Sequence, residues 1–193
     1  MRTFVLAIGA TAVISATPHA RAETSVTIIG TSPLAACAAA AAEAKRTGVG
    51  TRFELATCDR AIETWPPPQA NVAIAFTNRS VVHIARGEPG AAIADANRAI
   101  RLNASLGEAY LDRAIALSAD ARPAEAIRDF ARAIALNVRQ PELAYFDRAI
   151  ALEDSGDIKG AYFDYRHAAE LNPAWGKPRQ ELARFTVVRN VSG

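Results

Sequence analysis

The sequence predicts an all-α fold of stacked helical hairpins, closed at the C-terminal end by a single capping helix. Three observations carry this. Half of the 193 residues are hydrophobic but only 7% are aromatic, so alanine supplies much of the apolar content. Alanine costs least in a helix and lets helices approach closely. Beyond the first thirty positions β-branched residues rarely run together, and the period-two alternation of a half-buried strand is scarce. Finally, one stretch recurs. AYLDRAIALSADARPAEAIRDFARAIALNV, from Ala109, returns from Ala144 as AYFDRAIALEDSGDIKGAYFDYRHAAELNP, and an upstream version from Ala75 reads AFTNRSVVHIARGEPGAAIADANRAIRLNA.

Residues 1–22 stand apart. Arg2 is followed by the apolar run FVLAIGATAVIS, a break at Thr17-Pro18 and the small-residue site Ala20-Arg21-Ala22. This is the pattern of a cleaved export signal. The apolar run is shorter than the roughly 20 residues a spanning helix needs, and no span is expected after cleavage. Cleavage would remove two of the 22 basic residues and none of the 20 acidic ones, leaving a balanced chain despite the pI of about 8.7. A basic footprint for nucleic acid is therefore absent. Periplasmic residence is expected, with secretion the alternative; the high Arg-to-Lys ratio and alanine richness suggest a bacterium with a GC-rich genome.

Residues 23–70 read as a polar lead-in, a helical hairpin and a linker. Ser32-Pro33 supplies an N-cap and a proline at the first helical position, opening a helix from Leu34 to about Arg46. Thr51 and Glu54 form a capping box for a second helix to about Thr64, and Pro66-Pro67-Pro68 is a stiff connector. Cys37 and Cys58, the only cysteines, fall one in each helix. In an oxidising compartment an even count favours a disulfide over two buried thiols or a metal pair.

Residues 71–173 hold the three copies. Helices are expected over about 73–86, 89–102, 106–119, 123–136, 141–153 and 157–171, with Ser105 and Glu108 as a further capping box. Residues 174–193 read as a cap and tail, with a helix over about 178–188 that uses Leu182, Phe185 and Val188 and packs over Trp175. Ala92, Ala126 and Ala161 share one position of the repeat, and Ala99, Ala133 and Ala168 another, at spacings of about 34 residues. That period, in helix-turn-helix units, resembles the tetratricopeptide repeat (TPR) family. The small residue of the first helix matches Ser80, Ala114 and Ala149, and its aromatic matches Phe76, Tyr110 and Tyr145. The second-helix aromatic matches Phe130 and Tyr165 but is Ala96 in the first copy; the closing proline matches only Pro173. Cys58-Asp-Arg-Ala-Ile62 parallels Ala96-Asn-Arg-Ala-Ile100, so the cysteine hairpin reads as a decayed fourth copy with Cys58 at the aromatic position. The resemblance implies a right-handed superhelical solenoid.

Residues of chemistry are scattered. His83 and His167 lie in different copies, neither with a metal-ligand partner at i+3 or i+4. No phosphate loop, nucleophile elbow or nucleophile–base set is present, so neither cofactor, metal nor catalytic residue is assigned, and an enzyme is not expected. Arg79, Arg113 and Arg148 recur at one position and Asp95, Asp129 and Asp164 at another, which points to ion pairs inside each copy. The resemblance implies a concave groove lined by the first helices and a role in binding a protein or peptide. Matching positions are Thr77, Asn78 and Val81; Glu108, Leu111, Asp112 and Ile115; and Leu143, Phe146, Asp147 and Ile150. Asp112 and Asp147 stand where a carboxylate-clamping groove carries amide or base, and they would repel a carboxylate. An apolar peptide with a basic residue is the expected occupant. The alternative function is a self-assembling structural protein, stacked as a homo-oligomer.

Overall fold

The computed structural model describes residues 5–7, 11–13, 27–28, 32–63 and 69–186. Apart from a short antiparallel ladder of β1 (Val5–Ala7), β2 (Thr11–Val13) and β3 (Thr27–Ile28), the described residues form helices joined by turns. The ladder falls in the segment read as export signal and lead-in; the rest of that segment, the tri-proline and residues 187–193 lie outside the described residues. The helices are α1 (Pro33–Thr47), α2 (Arg52–Glu63), α3 (Gln69–Ala85), α4 (Pro89–Leu102), α5 (Gly107–Ala119), α6 (Pro123–Ala135), α7 (Pro141–Asp154), α8 (Ile158–Leu171) and α9 (Gly176–Leu182).

Local chemistry explains most boundaries. The Ser32 hydroxyl accepts from the Ala35 amide at 3.2 Å. Thr51 and Glu54 cap α2 reciprocally, at 2.7 and 3.2 Å. Proline opens α4, α6 and α7, where its missing N–H costs nothing. The turn inside each repeat passes through a left-handed residue: Gly87, Ala121 and Gly156, with φ of 70°, 56° and 83°. Ala121 alone carries a Cβ there.

Three expected elements differ. α3 begins at Gln69, four residues before the expected start and inside the segment read as linker. Ser105 and Glu108 form no capping box: Leu106 is the N-cap without a side-chain bond, Ser105 bonds Asn103, and Glu108 accepts from Arg139 at 3.1 Å. A distant guanidinium outcompetes the local amide for the carboxylate. The last helix ends at Leu182 instead of running to residue 188. Beyond it Arg184 pairs with Glu153 and Glu181, and the Phe185 ring packs on Tyr162 and Tyr165, which draws the chain out of helical register. Trp175, the N-cap of this helix, packs on Phe146 of α7, ring centroids 4.8 Å apart.

Consecutive helices pack as antiparallel pairs, and each pair stacks on the next. The odd-numbered helices also touch in series: α1 lies close against α3, α3 less closely against α5, and α5 only slightly against α7. They form an inner layer that opens towards the C-terminal end. The close α1–α3 approach follows from small side chains; Ala41, Ala44 and Ala75 are buried with Cys37, Cys58 and Val82. Gly50 completes the contact, because a Cβ there would stand 2.5 Å from the Val82 carbonyl oxygen. The Sγ atoms of Cys37 and Cys58 stand at disulfide distance, 2.05 Å, tying α1 to α2.

Between the helices of each repeat, the small positions Ser80, Ala92, Ala99 and their equivalents are fully buried. Phe130 and Tyr165 fill the second-helix aromatic position. Phe76, Tyr110 and Tyr145 are only half-buried, each with an arginine over its ring at 5.2–5.4 Å. Those arginines belong to a repeated polar layer. Arg79 grips Asp95, Arg113 grips Asp129 and Arg148 grips Asp164, each through two hydrogen bonds of 2.6–2.8 Å. Arg79 and Arg113 also reach back to the preceding unit, to Asp59 and Asn97, at 2.7 Å. Such forks satisfy charges that would otherwise be buried unpaired.

Candidate functional site

Among the described residues the inner layer lines a half-open cavity of about 400 Å³, within the range of ligand pockets. α3 contributes Thr77, Asn78 and Val81; α5 contributes Glu108, Leu111 and Asp112. α1 forms the facing wall through Ala38, Ala41, Ala42 and Lys45, and Arg139 and Gln140, ahead of α7, close the rim. Helical period explains the set, since positions three and four apart share one face.

Of the groove residues named from the sequence, Asn78, Val81, Glu108, Leu111 and Asp112 therefore come together. The others are elsewhere. Ile115 packs against the core cluster around Leu111 and Phe130. Phe146 sits between Tyr165 and Trp175. Ile150 is 40% exposed. Asp147 is half-buried, and burial pushes its carboxyl up to about 6, opposed by Lys45 and Lys177. Leu143 borders a separate shallow depression with Gln140 and Trp175. The α1 wall and the rim residues Arg139 and Gln140 were not named from the sequence. The parallel between the cysteine hairpin and the repeats was the signal for α1; nothing local marks residues 139–140.

The polar groups of this cavity are under-satisfied. The Asn78 side-chain nitrogen is buried and has no hydrogen-bond partner. Asp112 is nine-tenths buried, and among the described residues its one hydrogen bond is a long contact of 3.3 Å from the Ser80 hydroxyl, which donates to the Thr77 carbonyl at 2.7 Å. Among the described residues no Lys or Arg stands within ion-pairing distance of it: Lys45 donates to Gln140 at 3.1 Å, and Arg139 pairs with Glu108. Burial pushes the Asp112 carboxyl up to about 7; Lys45, Ser80 and Arg139 oppose the shift, and Glu108 adds to it.

The histidines have packing and bonding roles. His83 bonds Glu88 at 2.7 Å, and His167 packs edge-on against Tyr145. Among the described residues no group of three or more His, Cys, Asp or Glu is placed to hold a metal. Nor, among them, is any helix long and apolar enough to cross a membrane.

The class follows from period, pairing and inner layer together: this is a fold of TPR type. The family model for the tetratricopeptide repeat matches residues 143–174. No curated protein matches the chain. Solved structures give the same fold at low identity. A Podosopora anserina protein with nearly identical TPR-like repeats superposes with a TM-score of 0.64 at 12% identity, over 80% of this chain and 86% of that one. The Arabidopsis OM64 TPR domain gives 0.57 at 22%, over 60% and 95%. The second TPR domain of human RPAP3, solved in complex with the HSP70 peptide SGPTIEEVD, gives 0.55 at 24%, over 60% and 93%.

Proposed function

We propose that the protein is an exported interaction scaffold that holds a peptide segment of a partner along its concave face. One observation carries this reading: the concave cavity is lined both by Asn78, a buried amide donor without an acceptor, and by Asp112, a buried carboxylate without a cation among the described residues. Folding alone does not favour leaving such groups unpaired, because each unmade buried bond costs about 1–3 kcal/mol. A ligand that supplies the missing partners would recover that cost. The RPAP3 domain, similar in fold, was solved with a peptide, which supports the same use of the fold here. Removal of residues 1–22 and a Cys37–Cys58 disulfide belong to the same reading.

Site-specific photocrosslinking tests it. Benzoylphenylalanine at Ala42, exposed on the α1 wall of the concave cavity, should capture a partner from the envelope fraction, whereas the same group at Arg101, exposed on α4, should not. Equal capture at both positions would reject the concave face. Intact mass of the exported protein checks the rest: residues 1–22 missing, and two protons gained on reduction.

A further inference from the structure

The four buried aspartates divide into two kinds. Asp95, Asp129 and Asp164 each use both carboxylate oxygens to grip an arginine fork. Asp112, as deeply buried, has only the Ser80 hydroxyl. It stands at the cavity wall among apolar side chains: Ala38, Ala41 and Ala42 of α1, Val81 of α3 and Leu111 of α5. Asn78, whose buried side-chain nitrogen has no partner, lines the same cavity.

We infer that this cavity receives a basic side chain of the bound peptide, lysine or arginine, its stem along the alanine, valine and leucine walls, its charged head on Asp112, and a peptide carbonyl accepting from Asn78. The inference rests on the groove reading above and specifies its ligand. A lysine or arginine stem buries well along apolar surface while its head keeps a polar partner. The charge fits because a buried carboxylate gains most from a cation. Both oxygens of Asp112 are open to a cation: the single Ser80 proton goes to the Thr77 carbonyl at 2.7 Å, and its contact with Asp112 Oδ2 is longer, at 3.3 Å. The Lys45 ammonium donates to Gln140 across the groove and not to Asp112.

Binding is then linked to pH. The groups facing Asp112 are Lys45 from α1, Ser80 from α3, Glu108 from its own helix and Arg139 ahead of α7. A cationic head binds the ionised carboxylate, so affinity is full above about 7, where Asp112 is ionised, and falls as pH drops below that value.

The test uses the oxidised full chain and three capped peptides, acetyl-Ala-Leu-Xaa-Leu-Ala-amide, with lysine, glutamine or arginine at the centre, titrated by calorimetry or NMR. At pH 8 the lysine and arginine peptides should each bind about tenfold more tightly than the glutamine peptide, the scale of a modest charge-pair coupling energy. Asp112→Asn should abolish the preference for the basic peptides and the loss of affinity at pH 5.5. Asn78→Ala should weaken all three peptides alike. Asp112→Asn removes a buried charge and retains an acceptor for Ser80, so lost binding cannot be ascribed to unfolding; a melting curve verifies this. Equal binding of the basic and glutamine peptides would overturn the basic-side-chain pocket while leaving the groove reading in place. A preference for the basic peptides that survives Asp112→Asn would overturn it too. If no peptide binds up to about 5 mM while Ala42 crosslinks persist, the pocket is wrong and the groove stands; if the crosslinks fail as well, both readings fall.

Discussion

Asp129 and Asp112 lie on neighbouring helices and are nearly equally buried, at 8% and 9% exposed, yet the protein treats them in opposite ways. Asp129 sits between the helices of a repeat, in a layer where every carboxylate has its arginine. Asp112 sits on the concave face, where the carboxylate has one hydroxyl and the Asn78 donor of the same cavity has nothing. Polar burial in the first region stabilises the stack. In the second it costs stability, which makes the concave face the place to look for binding.

The comparison can be broken most forcefully in the scaffold. Phe130→Ala empties a fully buried aromatic position and should destabilise the protein by about 3–5 kcal/mol, read from denaturant unfolding. The second test concerns the α1 wall. Cys37→Ser with Cys58→Ser opens a link of sequence separation 21 and should cost about 3 kcal/mol in the chain-entropy model. Hydrogen exchange should then show α1 and α2 opening before α5 to α8; uniform exchange would mean that the hairpin is not a separate unit.

The third test reverses sign. The folded-state carboxyl of Asp112 is raised from 3.8 to about 7, so its ionisation disfavours the fold. The penalty is absent below the unfolded value near 4, grows as pH rises and is complete above about 7. Asp112→Asn should therefore stabilise the protein by about 2 kcal/mol at pH 8, roughly half the full linkage value because the cavity opens to water, and by nothing near pH 3.5. Asp129→Asn should destabilise at neutral pH, since it removes the ionic half of an arginine fork. Thermal melts across that pH range separate the two, and the same sign for both would erase the distinction. The smallest effect is at the turn. Ala121→Gly relieves a left-handed alanine at φ 56° and should raise stability by about 0.5–1 kcal/mol, measurable as a midpoint shift in urea.

The scaffold was legible in the sequence because its signals are periodic. Arg113 and Asp129 recur with their equivalents, and small residues recur where helices must meet, so a register exposes them without coordinates. The concave site was legible only in part. Asn78, Val81, Glu108, Leu111 and Asp112 follow from the register, because one face of one helix is a local property. Ala38, Ala41 and Ala42 do not stand out, since in an alanine-rich helix no side chain marks the face that will line a cavity. Glu108 shows the limit of a local motif: the sequence offers it Ser105, and the fold brings Arg139 to it.

By itself, then, the sequence determined an all-helical repeat stack, the starts of most helices, the pairing of its cysteines as an expectation and the arginine–aspartate layer. Each depends on contacts within one repeat or on chemistry repeated in several. Tertiary structure alone decided that α1 closes the cavity, that Lys45 spans it to Gln140 across 95 residues of chain, and that Asp112 is left without a cation. The physical reason is that burial and vacancy are collective. Whether a carboxylate is desolvated, and whether a neighbour's ammonium reaches it or goes elsewhere, depends on how far the stack curves and what that curvature brings together.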